Sequence, residues 1–296
     1  MLKTLALIND LSSVGRCSLS IQIPIVSTLK LTASPIPTAV LSNHTAFPHG
    51  YSVGLGQEMA GCLSALEENH IHFDGILIGY LGDCTDLTAL ERYIEKEKER
   101  NPSLKVILDP VMADHGKLYR GITEQHITAM RTLCRKADLI CPNLTEAAFL
   151  ADFDYAGLKE TLDTCTTDAA RGMVMHALLS ELHHETQGAI IITGVEAAKE
   201  GALPDAATKV DTLINVLSED TMDLRFIKNP RTGEGRPGTG DAFSAIVGSL
   251  YLRGEKLEEA VQRAGDFISL SIRHSDEAGV PILYGVQFED ILSALA

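Results

Sequence analysis

The 296-residue sequence has few basic residues: 25 Lys and Arg stand against 40 Asp and Glu, which gives a formal net charge of −15. Binding to nucleic acid or to an anionic membrane surface requires clustered Lys and Arg that contact phosphate groups. The charge balance therefore argues against nucleic-acid and membrane partners. A small anionic ligand is still compatible with it, because helix N-termini and a bound metal ion hold negative charge locally.

Long apolar runs and paired cysteines are also missing. No apolar stretch approaches the length that a membrane-spanning helix needs. The apolar stretch near the N-terminus stops at Asn9, which makes it too short for a signal peptide. None of the six cysteines belongs to a C-x-x-C pair or has the spacing of metal ligands. We interpret them as reduced thiols and expect a cytoplasmic protein.

The residues that are present favour an α/β protein, because short β-rich segments alternate with helical patterns along the chain. This alternation is typical of a mainly parallel sheet that is covered by helices on both faces. The predicted strands are residues 4–8, 37–41, 75–78, 105–108, 138–141, 189–193, 212–216 and 224–227. The predicted helices are residues 18–28, 53–68, 86–100, 123–136, 145–150, 167–184, 242–253 and 257–274.

The last two predicted strands are separated by a short polar turn, so we expect them to be antiparallel. No internal repeat, low-complexity segment or change of composition interrupts the chain. We therefore expect one domain over residues 1–296.

Polar or small residues follow five of the predicted strands at their carboxyl ends. They are Asn9-Asp10, Gly79-Tyr80, Asp109, Pro142-Asn143 and Thr193-Gly194. Each pair or residue alone fits an ordinary turn or helix cap. In open α/β sheets, however, ligands bind in the crevice outside the carboxyl ends of the strands. Five such positions at one edge favour a ligand site there.

The segment Gly238-Thr239-Gly240-Asp241 precedes an apolar helical stretch. Its two glycines let backbone N–H groups approach an anion, and the N-terminus of the helix adds its positive dipole. Asp241 is either an ordinary N-cap or a carboxylate that takes a proton from a nearby hydroxyl group. No G-x-x-x-x-G-K-[ST] segment occurs, and no complete dinucleotide fingerprint does, so both of those loop types are excluded.

Two further segments carry oxygen ligands. Asn143 and Glu146 are three residues apart at a predicted helix start, a spacing that fits a capping box and a Mg²⁺ site equally well. Asp109 ends an apolar strand, where a carboxylate without a partner or cation is costly. Asp114 and Tyr119 follow it in a polar loop, which resembles both loops that cover phosphate sites and ordinary connections.

Taken together, these segments resemble the pyridoxal/pyridoxamine kinases of the ribokinase-like superfamily. The matching segments are residues 10–18, 37–45, 79–82, 109–114, 142–146, 238–241 and 284–288, which are collinear and span nearly the whole chain. The resemblance implies a ribokinase-like three-layer sandwich. It also implies ATP-dependent phosphorylation of the 5′-hydroxymethyl group of a B6 vitamer (pyridoxal, pyridoxine or pyridoxamine), with Mg²⁺, a monovalent cation such as K⁺, and a homodimer.

The resemblance implies roles for individual residues at the reacting end of the site. Asp241 matches the catalytic base of the family, and residues 238–240 match its anion hole. Asn143 and Glu146 match the pair that organises Mg²⁺ and the waters on the phosphates. Asp109 matches a carboxylate near the metal, which makes Asp109 and Glu146 the expected metal ligands.

The nucleotide end is implied in the same way. Asp114 and Tyr119 match the loop over the γ-phosphate, and Thr193 matches a strand-end residue near ATP. The glycine-rich and basic loop of residues 231–236 either clamps nucleotide phosphates or is a mobile connection without a role.

Asp10, Thr45 and Tyr80 match positions at which the family contacts the pyridine ring, and Cys17 is expected at the same substrate site. Many relatives carry Ser-His where this chain has Asp10-Leu11, and a carboxylate there favours the cationic aminomethyl group of pyridoxamine. The simpler alternative is that Asp10 caps a helix that begins near Ser13.

Other functions fit the same residues. One alternative is a hydroxymethylpyrimidine kinase or a sugar kinase with the same fold. Another is a non-catalytic vitamer-binding protein, against which the intact Gly-x-Gly-Asp segment argues, since a binding protein does not need the base.

Overall fold

The computed structural model describes residues 2–83, 86–196 and 212–296. Its strands are β1 (Thr4–Ser12), β2 (Thr32–Leu41), β3 (Ser52–Gly54), β4 (Gly75–Ile78), β5 (Lys105–Leu108), β6 (Ala113–Asp114), β7 (Lys117–Leu118), β8 (Leu139–Ile140), β9 (Ala189–Glu196), β10 (Thr212–Ser218) and β11 (Arg225–Pro230). Nine of them form one sheet in the order β11-β10-β9-β8-β5-β4-β1-β2-β3, and β6 and β7 form a separate hairpin.

The middle of the large sheet is parallel from β2 to β9, and its two ends are antiparallel. Antiparallel pairing of β10 with β11 confirms the prediction for the last two strands. The helices are α1 (Leu19–Thr28), α2 (Met59–Glu68), α3 (Thr88–Arg100), α4 (Glu124–Cys134), α5 (Leu144–Leu150), α6 (Tyr155–Thr164), α7 (Asp168–Glu185), α8 (Thr239–Arg253) and α9 (Leu257–Glu277).

The central strands are buried on both faces, which explains why their sequences are almost continuously apolar. In β4, Ile76 and Ile78 face one hydrophobic core and Leu77 faces the other, as the two-residue period of a strand requires. Helices α2 to α7 cover the first core, and α1, α8 and α9 cover the second. The protein is therefore an α/β three-layer sandwich with a mainly parallel sheet, as predicted.

Three local predictions need correction. The predicted helix 53–68 is wrong in its first part, because Ser52–Gly54 forms β3 and pairs with β2 at the sheet edge. Helix α6 was not predicted; Asp154 caps it by accepting from the amides of Ala156 and Gly157. The β6–β7 hairpin lies inside a segment that was interpreted as a loop.

In the described part of the chain, no helix is long and apolar enough to cross a membrane. Five of the six cysteines are described, and all five are free thiols, as expected. Cys84 lies outside the described residues.

Candidate active site

A cavity of about 850 Å³ opens at the carboxyl ends of the parallel strands. Every residue that the sequence assigned to the site lines it: Asp10, Cys17, Thr45, Tyr80, Asp109, Asp114, Tyr119, Asn143, Glu146, Thr193, Gly238, Thr239, Gly240 and Asp241. The fold thus brings together residues from both halves of the chain. Their individual roles remain predictions, and the distances, burial and pKa shifts of these residues show which roles each of them could have.

Helix α8 begins at the cavity wall, and Gly238 is its N-cap in a left-handed conformation (φ 84°). A Cβ at Gly238 would lie 2.1 Å from the carbonyl oxygen of Arg16, so only glycine permits this contact. A Cβ at Gly240 would meet nothing within 4 Å. The backbone at the start of α8 is therefore accessible to an anion from the cavity.

Asp241 does not cap α8, because no side chain caps this helix. Its carboxylate instead accepts from two groups of the β1–α1 region: Asn9 Nδ2 donates to Oδ1 at 3.0 Å, and the amide of Ser18 donates to Oδ2 at 2.8 Å. Burial and the negative charge of Asp10 raise the pKa of Asp241 to about 6, against the effect of the two donors. The carboxylate is thus ionised at neutral pH and suited to accept a proton.

Asp10 is buried and accepts from the hydroxyl groups of Ser12 and Ser18. Burial raises the pKa of its carboxyl group, and the two serine donors oppose that shift. The alternative that Asp10 caps a helix near Ser13 is wrong, because the first helix begins only at Leu19. Asp10 is therefore held as a buried acid beside the cavity.

The other predicted ring-contact residues differ in exposure. Tyr80 is partly buried, and burial together with Asp10 and Asp83 raises the pKa of its phenol. Cys17 is buried, and burial with the charges of Asp241 and Asp10 raises the pKa of its thiol to about 12. Cys17 is thus a neutral thiol in the cavity wall, and Thr45 is exposed at the rim.

Asn143 and Glu146 form a reciprocal capping box at the start of α5. Asn143 Oδ1 accepts from the amide of Glu146 at 3.0 Å, and Glu146 Oε2 accepts from the amide of Asn143 at 2.9 Å. Glu146 Oε1 also accepts from the amides of Met112 and Ala113. Capping, one of the two interpretations of this spacing, is confirmed, and it does not exclude a metal role for the same carboxylate.

Among the described residues, no Lys or Arg forms an ion pair with Asp109 or Glu146, although Arg120, Lys159 and Arg231 line the same cavity. Burial and the charge of Asp241 raise the pKa of Asp109 to about 7, with a hydrogen bond from Ser244 opposing. Burial and the charge of Asp109 raise the pKa of Glu146 well above its ordinary value. No Lys or Arg in the described residues is among the groups that shift either pKa.

The buried carboxylates of Asp109 and Glu146 are the candidate ligands for Mg²⁺. Within the described ranges, no group of three or more His, Cys, Asp and Glu side chains is arranged to hold a metal ion. Asp109 and Glu146, however, are two buried carboxylates without a cation, and Mg²⁺ is commonly held by one or two carboxylates plus substrate phosphates and waters. The pair therefore fits a divalent ion that arrives with a phosphate ligand.

Asp114 and Tyr119 lie on the β6–β7 hairpin, whose turn residues His115 and Gly116 both have positive φ. The amide of Gly116 donates to Thr145 Oγ1 at 3.0 Å, which ties the hairpin to α5. Burial and four acidic residues, Glu146 first, raise the pKa of the Tyr119 phenol. Tyr119 is thus a neutral hydroxyl group close to the acidic cluster.

Thr193 lies on β9 and pairs with Asn143 in an isolated parallel bridge. In the loop of residues 231–236, Arg236 is buried, pairs with Asp276 at 2.7 Å and donates to the carbonyl oxygen of Gly285. Arg231 pairs with Glu196 at 2.7 Å. Arg236 therefore anchors this loop to the C-terminal segment, and phosphate clamping by the loop remains a prediction.

The supports of Asp241 were not predicted: Asn9 was named only among the strand ends expected at the ligand edge, and Ser18 only as a helix start. Ser18 has a positive φ of 52°, an uncommon conformation for serine, and it contacts Asp10 through its hydroxyl group and Asp241 through its amide. The contacts of Asn9 and Ser18 with Asp241 could not be predicted from local sequence, because each joins residues that are more than 200 positions apart in the chain.

Comparisons with known proteins identify a family and similar structures. The sequence profile of the phosphomethylpyrimidine kinase family matches residues 27–283. The pyridoxine/pyridoxal/pyridoxamine kinase of Bordetella avium is 27% identical over 246 residues, which cover 79% of this chain and 72% of the relative.

Two solved structures are similar over the whole chain. One is a protein from Bacteroides thetaiotaomicron that is assigned to the phosphomethylpyrimidine kinases and was crystallised with pyridoxal. It has a TM-score of 0.86 and 30% identity, and the match covers 100% of this chain and 96% of that one. The other is pyridoxal kinase from Lactobacillus plantarum, with a TM-score of 0.83, 26% identity and coverage of 100% and 97%.

Proposed function

The chain belongs to the phosphomethylpyrimidine kinase family, and we propose that it transfers the γ-phosphoryl group of ATP to the 5′-hydroxymethyl group of a B6 vitamer. The names of the relatives from B. avium and L. plantarum, and the pyridoxal bound to the protein from B. thetaiotaomicron, support this substrate class. The observation that carries the proposal is the position of Asp241. Its carboxylate shares one cavity with the accessible start of α8 and with the predicted ring-contact residues Asp10 and Tyr80.

Phosphoryl transfer requires a protein mainly to position the reactants and to neutralise developing charge. Asp241, ionised above about pH 6, takes the proton from the vitamer hydroxyl group as that oxygen attacks the γ-phosphorus, and the bond from the γ-phosphorus to the bridging oxygen breaks to release ADP. Backbone N–H groups of residues 238–240 and the N-terminus of α8 stabilise the transferred phosphoryl group. Asp10, Thr45 and Tyr80 orient the pyridine ring, and Cys17 closes the wall beside them.

We place Mg²⁺ at Asp109 and Glu146, with Asn143 fixing Glu146 through the capping box. When bound, the ion would supply positive charge to the nucleotide phosphates, in addition to that of the cavity residues Arg120, Lys159 and Arg231. Asp114 and Tyr119 cover the γ-phosphate from the β6–β7 hairpin, and Thr193 contacts ATP from β9. A monovalent cation such as K⁺ is proposed on the family resemblance alone.

The same resemblance leads us to propose a cytoplasmic homodimer with one kinase domain over residues 1–296. The free thiols of the described cysteines support a reducing compartment. Light scattering of the purified protein tests the homodimer directly.

A substrate panel tests the function. Purified protein and Mg·ATP are incubated separately with pyridoxal, pyridoxine, pyridoxamine, hydroxymethylpyrimidine and ribose, and each product is identified by mass spectrometry. We expect 5′-phosphates of the B6 vitamers, with at least one vitamer turned over far faster than either other compound.

A second candidate, hydroxymethylpyrimidine kinase, is favoured by the description of the family itself. Faster turnover of hydroxymethylpyrimidine than of all three vitamers would establish that candidate instead. Binding of vitamers without any ADP formation would indicate a non-catalytic vitamer-binding protein.

A further inference from the structure

The side chain of Asn9 joins three parts of the candidate site. Its Nδ2 donates to Asp241 Oδ1 at 3.0 Å, and its Oδ1 accepts from the amide of Asp10 at 2.9 Å and from that of Tyr80 at 3.0 Å. We propose that Asn9 is a positioning residue that fixes the carboxylate of Asp241 for proton transfer. This inference rests on the proposed function for its kinetic part, and its structural part can be judged separately.

The orientation of the Asn9 amide follows from its partners. Two backbone N–H groups point at one atom of the side chain, and only the carbonyl oxygen of an asparagine can accept them. The NH₂ group must therefore face Asp241, which requires a donor at Oδ1. The assignment of oxygen and nitrogen in this amide is thus determined by the chemistry of its neighbours.

The position of Asn9 is fixed as firmly as its orientation. The residue is 1% exposed, and a Cβ on Gly79 would lie only 2.6 Å from its Nδ2. Strand β1 is also irregular between Asn9 and Leu11, where its register against β2 shifts. Bulges of this kind re-aim side chains next to functional sites. Here the irregularity follows directly after the residue that supports the predicted base.

Asn9 and Ser18 together hold both oxygens of the Asp241 carboxylate, one donor to each. Each oxygen keeps a further lone pair, so a hydroxyl group in the cavity can still be deprotonated. Besides burial, the negative charge of Asp10 raises the pKa of Asp241, and that of Asp241 raises the pKa values of Asp109, Cys17 and Tyr119. Asn9 thus supplies one of the two neutral donors that keep this carboxylate in place.

Asn9→Asp changes the donor function of the side chain and keeps its acceptor function. The new carboxyl group keeps an oxygen acceptor for the amides of Asp10 and Tyr80 but loses the NH₂ donor to Asp241, and because it also adds an acidic group beside that carboxylate, it is compared with the uncharged Asn9→Ser. If Asn9 fixes the base, kcat falls by about 10- to 100-fold, as expected when a reacting group is misplaced. The KM for ATP stays within about twofold, because no nucleotide contact changes.

Thr38→Val is the matched control. Thr38 is fully buried, and its hydroxyl group donates to the carbonyl oxygen of Tyr80 at 2.6 Å without touching Asp241. A role limited to supporting the Tyr80 segment predicts equal losses of kcat in Thr38→Val and Asn9→Asp, which would overturn the proposal. A kcat for folded Asn9→Asp within twofold of the parent would overturn it as well.

Asn9→Ser removes all three contacts without adding charge and is measured beside Asn9→Asp, which it replaces if that variant does not fold. A loss of kcat in Asn9→Asp alone would come from the added charge and would overturn the proposal. Crystal structures of the parent and of either variant give a readout that does not depend on turnover. A rotated Asp241 carboxylate in the variant supports the proposal, and an unchanged carboxylate overturns it. An inactive parent with a rotated carboxylate in the variant would refute the proposed kinase function and leave the positioning role supported.

Discussion

Aspartates at the two edges of the central sheet are used in opposite ways. At the amino edge, Asp74 precedes β4 and accepts from the amide of Thr4 at 2.7 Å. Asp138 precedes β8, accepts from the amide of Val106 at 2.7 Å and pairs with Lys98 at 3.2 Å. Each of these carboxylates supports the start of a neighbouring strand, so its charge is used to complete the fold.

At the carboxyl edge, Asp10, Asp109 and Asp241 line the cavity, and burial raises the pKa of each. Their hydrogen-bond donors are neutral, and His44, which lowers the pKa of Asp10, is the one basic residue of the described chain among the groups named as shifting these pKa values. Residues of one type therefore stabilise the sheet at one edge and concentrate unbalanced negative charge at the other. Such an excess is expected where a site binds a cation or transfers protons.

The largest expected effect that separates the two edges is on turnover. Asp241→Asn removes the predicted base and should lower kcat by about 10²- to 10⁴-fold, with little change in the KM for ATP. Asp138→Asn at the amino edge is the matched control and should keep kcat within about twofold. Near-parental kcat in Asp241→Asn would remove this residue from proton transfer.

The next effect concerns substrate preference. Asp10→Ser should reduce the preference for pyridoxamine over pyridoxal in kcat/KM by about 10-fold, the lower end for a charge-assisted hydrogen bond. The kinetics with ATP should not change. If the ratio of kcat/KM for pyridoxamine to kcat/KM for pyridoxal is the same in the parent and in Asp10→Ser, the Asp10 carboxylate does not determine the preference for the charged substrate.

A smaller effect is expected for the metal requirement. Glu146→Gln should raise the Mg²⁺ concentration at half-maximal activity several-fold, because one of two carboxylates near the ion loses its charge. Gln keeps one oxygen acceptor for the backbone amides that bind Glu146, and the lost acceptor is offset by removing a charge whose burial raises the pKa of Glu146, so thermal stability should change little. An unchanged Mg²⁺ dependence would show that Glu146 serves only as a cap.

The smallest effects are on stability, and they should have opposite signs at the two edges. Without Mg²⁺ at pH 8, Asp109→Asn should raise Tm by about 2 °C or more, and Asp138→Asn should lower it by about 1–2 °C. The pKa of Asp109 is raised to about 7, so its charge destabilises the fold increasingly as pH rises from the unfolded value towards 7. The gain in Asp109→Asn should therefore shrink at pH 5, where the parent carboxyl group is protonated. Equal Tm changes at pH 5 and pH 8 would contradict this explanation.

Much of this fold could be predicted from local patterns. Strands β4 and β5 have the predicted bounds, because each is a short apolar run that ends at a glycine or an aspartate. Strand β3 was not predicted, because three exposed residues at a sheet edge carry no apolar alternation. Helix α6 was not predicted either, because only Leu158 and Leu162 of it are buried and two residues are too few to mark an apolar face.

The site shows the same division between local and distant information. The residues around Asp241 and Glu146 lie in short motifs, so the sequence identified them directly. The contact between Asn9 and Asp241 joins positions 232 residues apart, and it depends on how β1 and α8 meet. The chain direction already placed Asp109 after a strand and Asp138 at the start of one, but the sequence did not show that the amide of Val106 donates to Asp138, because that contact joins two neighbouring strands.

The pH dependence of kcat/KM for the vitamer tests the central claim most directly, because with saturating Mg·ATP this parameter reports ionisations of the Mg·ATP-bound enzyme and of the free vitamer. It should be measured with pyridoxal and pyridoxine, since a break shared by both does not come from the vitamer, and in the parent and Asp241→Asn, since a break of Asp241 is absent from the variant. With the pKa of Asp241 raised to about 6, kcat/KM should be constant near pH 8 and fall about 10-fold per pH unit below pH 6. A profile that stays flat from pH 8 to pH 5 would contradict the assignment of Asp241 as the base of this kinase.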